Sequence, residues 1–131
     1  MIVVDASAIL ELLLQTDLGA RVEARLVREA ARWHAPALLD TEVLQGLRRL
    51  LRQGALDAAR AGQAVGDLMD LELVRHGHVD LGPRIWELRS THTAYDATYV
   101  ALAEALDASL VTCDRPLSRS HGHTARIQLV S

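Results

Sequence analysis

Short apolar runs that end on an acidic residue and pass straight into a helical repeat restrict this chain more than any other feature. Residues Met1 to Val4 end on Asp5, and from Ala6 to Leu14 the apolar residues Ile9, Leu10, Leu13 and Leu14 gather on one side of a helix. Near the other end, Ser109 to Cys113 closes on Asp114, and Arg115-Pro116 then begins a turn or short helix. Apolar runs without alternation suit strands covered on both faces, which means a parallel sheet with helical crossovers. In such a sheet the carboxyl ends of the strands, and the helix starts that follow them, collect along one edge.

The chain between these points repeats the alternation. Asp17 opens a second helical stretch, and Trp33 to Ala35 reads as a strand closed by Pro36. Leu39, Val43, Leu44, Leu47, Leu50 and Leu51 recur at three- and four-residue steps, predicting a helix to Arg52 that Gly54 stops. A further helix is expected over Leu56 to Leu71 and a strand over Leu73 to Arg75. Val79 to Arg89 reads as one helix with Leu81, Ile85, Trp86 and Leu88 facing inward. Ala94 to Leu106 is an Ala-rich helix able to lie close to the sheet, and Arg126 to Val130 is a last strand. No repeat, low-complexity tract or linker interrupts the 131 residues, so a single domain over 1–131 is expected. A chain of this size buries roughly two-thirds of its unfolded surface. With no Phe and only 3% aromatic residues, its core must be Leu, Val, Ile and Ala.

Composition also narrows the setting. The single cysteine, Cys113, has no intramolecular partner for a disulfide, and neither a signal peptide nor a membrane-length apolar stretch is readable. The expectation is a cytoplasmic protein that does not enter a membrane. The formal charge is −3, and every basic residue is Arg. Arginine's planar fork suits phosphate oxygens, which permits nucleic-acid contact without requiring it.

Four acids stand out: Asp5, Glu42, Asp96 and Asp114. Each has a local explanation. Asp5 and Asp114 are placed as helix N-caps, Glu42 falls in a first helical turn, and Asp96 follows Thr93 by three residues as in a capping box. A helix start also favours the charged form of a carboxylate, so the same places suit metal ligands. Capping does not require four helix ends to meet. A shared divalent ion held by hard oxygen ligands does.

The segments IVVDASAILELL, APALLDTEVLQGLRRLLRQG and TAYDATYVALAEALDASLVTCD, followed by RPL, resemble a PIN domain, and more narrowly the VapC-type toxin ribonucleases of bacterial toxin–antitoxin pairs. The likeness runs over essentially the whole chain. It implies a PIN-like α/β/α sandwich around a small, mainly parallel sheet. It also implies hydrolysis of RNA phosphodiesters with Mg²⁺ or Mn²⁺ held by Asp5, Glu42, Asp96 and Asp114. Ser7 and Thr112 match the hydroxyl residues that would orient those carboxylates. No further acid follows Asp114 closely, which implies that a second ion is weakly held and completed by substrate phosphate. A VapB-like antitoxin and a homodimer are implied as partners.

Arg49, two turns beyond Glu42, and Arg115, beside Asp114, are candidates for RNA contact, whereas Arg48 and Arg52 suit a solvated helix face. The pairs His76-Gly77-His78 and His121-Gly122-His123 could bind Zn²⁺ but lack a third ligand nearby, so solvated loops are expected. A phosphoryl-receiver domain would need a lysine, which is absent. An aspartate-nucleophile phosphatase would show a second Asp where Ser7 stands. The remaining alternative is a PIN-like module that binds RNA or protein without cleaving it.

Overall fold

The computed structural model describes residues 1–29 and 32–131. Five strands, β1 (Ile2–Val4), β2 (Trp33–Pro36), β3 (Val74–His76), β4 (Ser109–Thr112) and β5 (Arg126–Leu129), form one sheet in the order β3-β2-β1-β4-β5. All four pairings are parallel. The helices are α1 (Ala6–Leu14), α2 (Asp17–Arg28), α3 (Leu38–Arg52), α4 (Ala58–Asp70), α5 (Gly82–Glu87), α6 (Ala94–Leu106) and α7 (Arg115–Ser118). The expected α/β class is therefore found, with most element ends within two residues of the sequence reading.

The order of strands determines where a site can form. The chain steps outward from β1 to β2 to β3, then returns to place β4 on the other side of β1. Right-handed crossovers send the helices of those two directions to opposite faces, with α1, α3 and α4 packed together and α6 lying over β1, β2 and β4. The reversal opens a crevice at the carboxyl ends of β1 and β4.

Burial explains the local sequence. Ile2, Val3 and Val4 are wholly buried because both faces of β1 are covered. Residues Ala97–Ala103 of α6 are buried without a break, and its alanines allow the helix axis to approach the sheet. In the absence of Phe, Tyr99 is the largest fully buried side chain. Beyond α3, Gly54 adopts φ +73°, the left-handed conformation of a terminating glycine.

Two expectations are corrected. Residues 79–89 are not one helix: a 3-10 turn at Val79–Leu81 precedes α5, whose first turn contains Pro83. Proline lacks the N–H that would bond back into a longer helix. Trp86 consequently faces solvent, 68% exposed, with the Arg89 guanidinium 4.8 Å from its ring centre. The glycine-flanked histidines are also not all solvated. His76 Nε2 lies 2.8 Å from Nδ1 of the buried His34, with the rings stacked, and His123 Nδ1 accepts from the Ala125 N–H.

Helices α1 and α2 meet at Gly19, where an added Cβ would stand 2.1 Å from the Glu11 carbonyl oxygen and 2.7 Å from its carbon. Both atoms are backbone, so a side chain there forces the helices apart. Gly66, inside α4, has nothing within 4 Å. Gly19→Ala is therefore expected to destabilise the protein by about 1–3 kcal/mol, whereas Gly66→Ala stabilises it by about 0.5–1 kcal/mol through helix propensity. Urea unfolding of the two variants measures the contrast. Equal effects of either sign would contradict this packing.

Candidate active site

The site is built from strand ends and helix starts. Asp5 follows β1 and caps α1, its Oδ1 accepting the Ala8 N–H at 3.0 Å. Asp114 comes just after β4 and caps α7, its Oδ1 accepting the Leu117 N–H at 3.1 Å. Val4 is paired with Val111, so these two strand ends emerge side by side. Thr93 caps α6 by accepting the Asp96 N–H at 3.1 Å, which sets Asp96 in the first turn. Among the described residues the Asp96 carboxylate has no hydrogen bond or ion pair of its own.

Glu42 departs from expectation in one respect. Because α3 begins at Leu38, Glu42 lies in the second turn and has no orphan amide to cap. Its carboxylate is held instead by the Tyr99 hydroxyl, which donates to Oε1 at 2.6 Å. All four predicted acids line one cavity of about 290 Å³, joined by Ser7, Leu10, Gly46, Arg49 and Tyr99 among others. Capping and convergence are thus both true of the same residues.

Asp5 has the most determined surroundings. The Ser7 hydroxyl donates to Oδ1 at 2.7 Å while accepting the Cys113 N–H at 2.9 Å. The Thr112 hydroxyl donates to Oδ2 while accepting the Asp114 N–H at 2.9 Å. A backbone donor occupies the acceptor side of each hydroxyl, so each proton is directed at the carboxylate. Burial nevertheless pushes the Asp5 carboxyl up to about 6, the three donors pulling against it and the Asp114 charge adding to the rise. Asp96 is raised as well, first by burial, then by the charges of Asp114 and Glu42.

These observations test whether a divalent cation suits the cavity. The ligand set is all oxygen and anionic, and two of its members are raised partly by their neighbours' charge, which a cation would relieve. Among the described residues no three acidic, His or Cys side chains stand close enough to grip one ion as they are. The chemistry of the donors fits Mg²⁺ or Mn²⁺; their spacing is that of an open site.

Arg49 is the one basic side chain lining this cavity, at its exposed rim. Arg115 is exposed on α7 and outside the lining. Cys113 is pushed up to about 11 by burial, then by Asp5 and Glu11, so it remains a thiol and packs rather than attacks. A larger hollow of about 680 Å³ lies beside Trp33 and Leu71–Val74, before β2 and β3 at the opposite edge of the sheet. Its only acid is Glu72, and it contains none of the predicted site residues.

Tyr99 and Gly46 complete the cavity without having been singled out from the sequence. Tyr99 could have been found by helical spacing, since it stands three residues after Asp96 on the same side of α6. Gly46 follows Glu42 by one turn, and its missing side chain leaves room for Leu10, whose Cδ2 is 3.0 Å from where a Cβ would be.

The comparisons with known proteins bear on the family and the fold. The PIN domain family matches residues 2–121. Ribonuclease VapC12 of Mycobacterium tuberculosis is 43% identical over 131 residues, covering 100% of both chains. Ribonuclease VapC9 of the same organism is 48% identical over 118 residues, 90% of this chain and 89% of its own. In fold, the chain is similar to one in the structure of Rickettsia felis VapBC2 bound to a promoter DNA fragment, with a TM-score of 0.70, 14% identity and 100% of both chains covered. On these matches, and on a sheet-edge cavity lined by four acids, the chain belongs to the PIN domain family and, within it, to the VapC ribonucleases.

Proposed function

We propose that this chain is an endoribonuclease that hydrolyses RNA phosphodiesters with Mg²⁺ or Mn²⁺, and that it is the toxin of a toxin–antitoxin pair acting in the cytoplasm as a homodimer. One observation carries the catalytic part: carboxylates from four separate segments, Asp5, Glu42, Asp96 and Asp114, line a single cavity. In this reading all four hold the ion. When bound, a divalent ion neutralises charge building on the scissile phosphate and acidifies the attacking water.

The chain's own residues do the rest. Ser7 and Thr112 fix the orientation of Asp5. Arg49 at the rim binds a phosphate flanking the cleavage point, and Arg115, next to Asp114, extends the same contact outward. Few aromatic side chains are available to stack on bases, so the substrate is recognised by the shape of a folded RNA. Protein partners have exposed apolar residues to cover, with Val79, Trp86 and Tyr95 outside the core. A VapB-like antitoxin blocks an acidic cavity by inserting an Arg or Lys side chain or by covering the cleft.

Asp96→Asn removes a ligand that makes no hydrogen bond among the described residues, so it should keep the wild-type circular dichroism. RNA cleavage in Mn²⁺ should fall at least 100-fold, to the rate seen in EDTA. A variant retaining more than a tenth of wild-type activity would remove Asp96 from the site.

Asp5→Asn tests the strain among the carboxylates. The amide oxygen can still accept from Ser7 and Ala8, and the NH₂ can donate to Thr112 once that hydroxyl turns its proton toward Ser7 Oγ, 3.2 Å away. Asp5 rises from an ordinary 3.8 to about 6 on folding. Between those pH values the folded chain keeps a proton that the unfolded chain has released, so metal-free stability falls as pH rises and levels off above about 6. The full penalty is on the order of 3 kcal/mol. In EDTA, Asp5→Asn should therefore melt higher than wild type at pH 7.5, show a shallower slope between pH 4 and 6 with only the part due to Asp96 remaining, and gain little from Mn²⁺. A variant stabilised by Mn²⁺ as much as wild type would count against Asp5 as a ligand.

For the partner, induction of the chain alone in a bacterial host should arrest growth, and co-expression of the neighbouring reading frame's product should relieve the arrest. Arrest that Asp96→Asn leaves intact would show that the toxicity is not nucleolytic.

A further inference from the structure

We infer that Tyr99 is a positioning residue for Glu42, selecting which carboxylate oxygen is left for the site; the inference rests on the ribonuclease reading above. Glu42 is the site's one glutamate and therefore its longest acid, with one more rotatable bond than an aspartate. It also lies beyond the helix turn whose free amides could restrain it. Among the described residues its side chain has a single hydrogen bond, from the Tyr99 hydroxyl to Oε1 at 2.6 Å.

Tyr99 is suited to that task by its place in the fold. It is 2% exposed and belongs to the buried run of α6, so its ring is packed and its hydroxyl has little freedom. Three residues separate it from Asp96, which puts one ligand and the restraint on another along the same side of one helix. One phenol thus links α6 with α3. With Oε1 engaged, Oε2 is the oxygen of Glu42 that has no partner among the described residues.

A tyrosine that only filled the core would matter for stability and nothing else. Tyr99→Phe keeps the ring and removes the bond, so it separates the two roles. In the metal-free protein, the circular dichroism should be unchanged and the melting temperature should shift by no more than about 4 °C. Mn²⁺ affinity, measured by calorimetry on that same apo protein, should weaken about 10-fold or more, as for other residues that orient metal ligands. On a cleavable RNA, kcat should fall by a similar factor with KM within twofold of wild type. In a Glu42→Gln background, adding Tyr99→Phe should change Mn²⁺ affinity less than twofold, because the tyrosine acts through the missing carboxylate.

Wild-type Mn²⁺ affinity and kcat in Tyr99→Phe would overturn the inference while leaving the ribonuclease reading standing. Full additivity in the double variant would overturn it equally. A wild-type chain that neither binds Mn²⁺ nor cleaves RNA would instead overturn the ribonuclease reading, and the inference with it.

Discussion

A carboxylate buried at the end of the central strand is the constraint on which the rest of this structure depends. Asp5 closes β1, the middle strand of the sheet, where solvent is largely excluded. An ionised group in that position is unfavourable unless donors surround it. The chain supplies an amide from α1 and two hydroxyls, each hydroxyl being itself held by a backbone donor near the end of β4. These bonds join the carboxyl end of β1 to that of β4, beyond the last paired residues of the two strands. Even so, burial outweighs the donors and raises the carboxyl. The strain belongs to the site, and the fold is arranged to tolerate it.

Much of this could be read from the amino acids. β1, β4, α1, α3 and α6 carry uniform apolar runs or strong helical periodicity, and their positions follow from those patterns. Asp5 and Asp114 were identifiable at strand-to-helix junctions and Asp96 in a first helical turn, whereas Glu42 stands one turn further into its helix; topology rather than local preference brings these distant residues together. Other features were hidden for physical reasons. The helix expected over 79–89 looks continuous by periodicity, yet Pro83 divides it, and the short α5 that results buries only part of its apolar face. Trp86 illustrates that an aromatic at a helical step is not thereby a core residue. The His34–His76 pair joins adjacent strands through a register that no single-strand pattern reveals.

Tyr99 was missed for an instructive reason. In a chain almost free of aromatics, a buried tyrosine reads as packing, and by volume it is the largest side chain wholly inside. A phenol has two ends, however, and a buried hydroxyl needs a partner. Here the partner is a site carboxylate, so one residue contributes to the core and to the cavity. Burial, then its bond to Glu42, holds the phenol far above its ordinary pKa, and it stays a donor throughout the neutral range.

The four acids are therefore not equivalent, and the difference follows from what anchors each. Asp5 and Asp114 sit at strand ends with an oxygen bound to a helix-start amide, so backbone fixes them. Glu42 is fixed by a side chain, the Tyr99 hydroxyl. Among the described residues nothing beyond its own backbone fixes Asp96, since Thr93 caps the amide and the carboxylate makes no hydrogen bond. Its charge is opposed by Asp114 and Glu42, with no bonded donor to offset them. A site arranged in this way has three acids held by hydrogen bonds and, among the described residues, one that is not. In the reading proposed above, an adjustment of Asp96 toward a bound ion would break no hydrogen bond among the described residues, whereas moving any of the other three acids would break one.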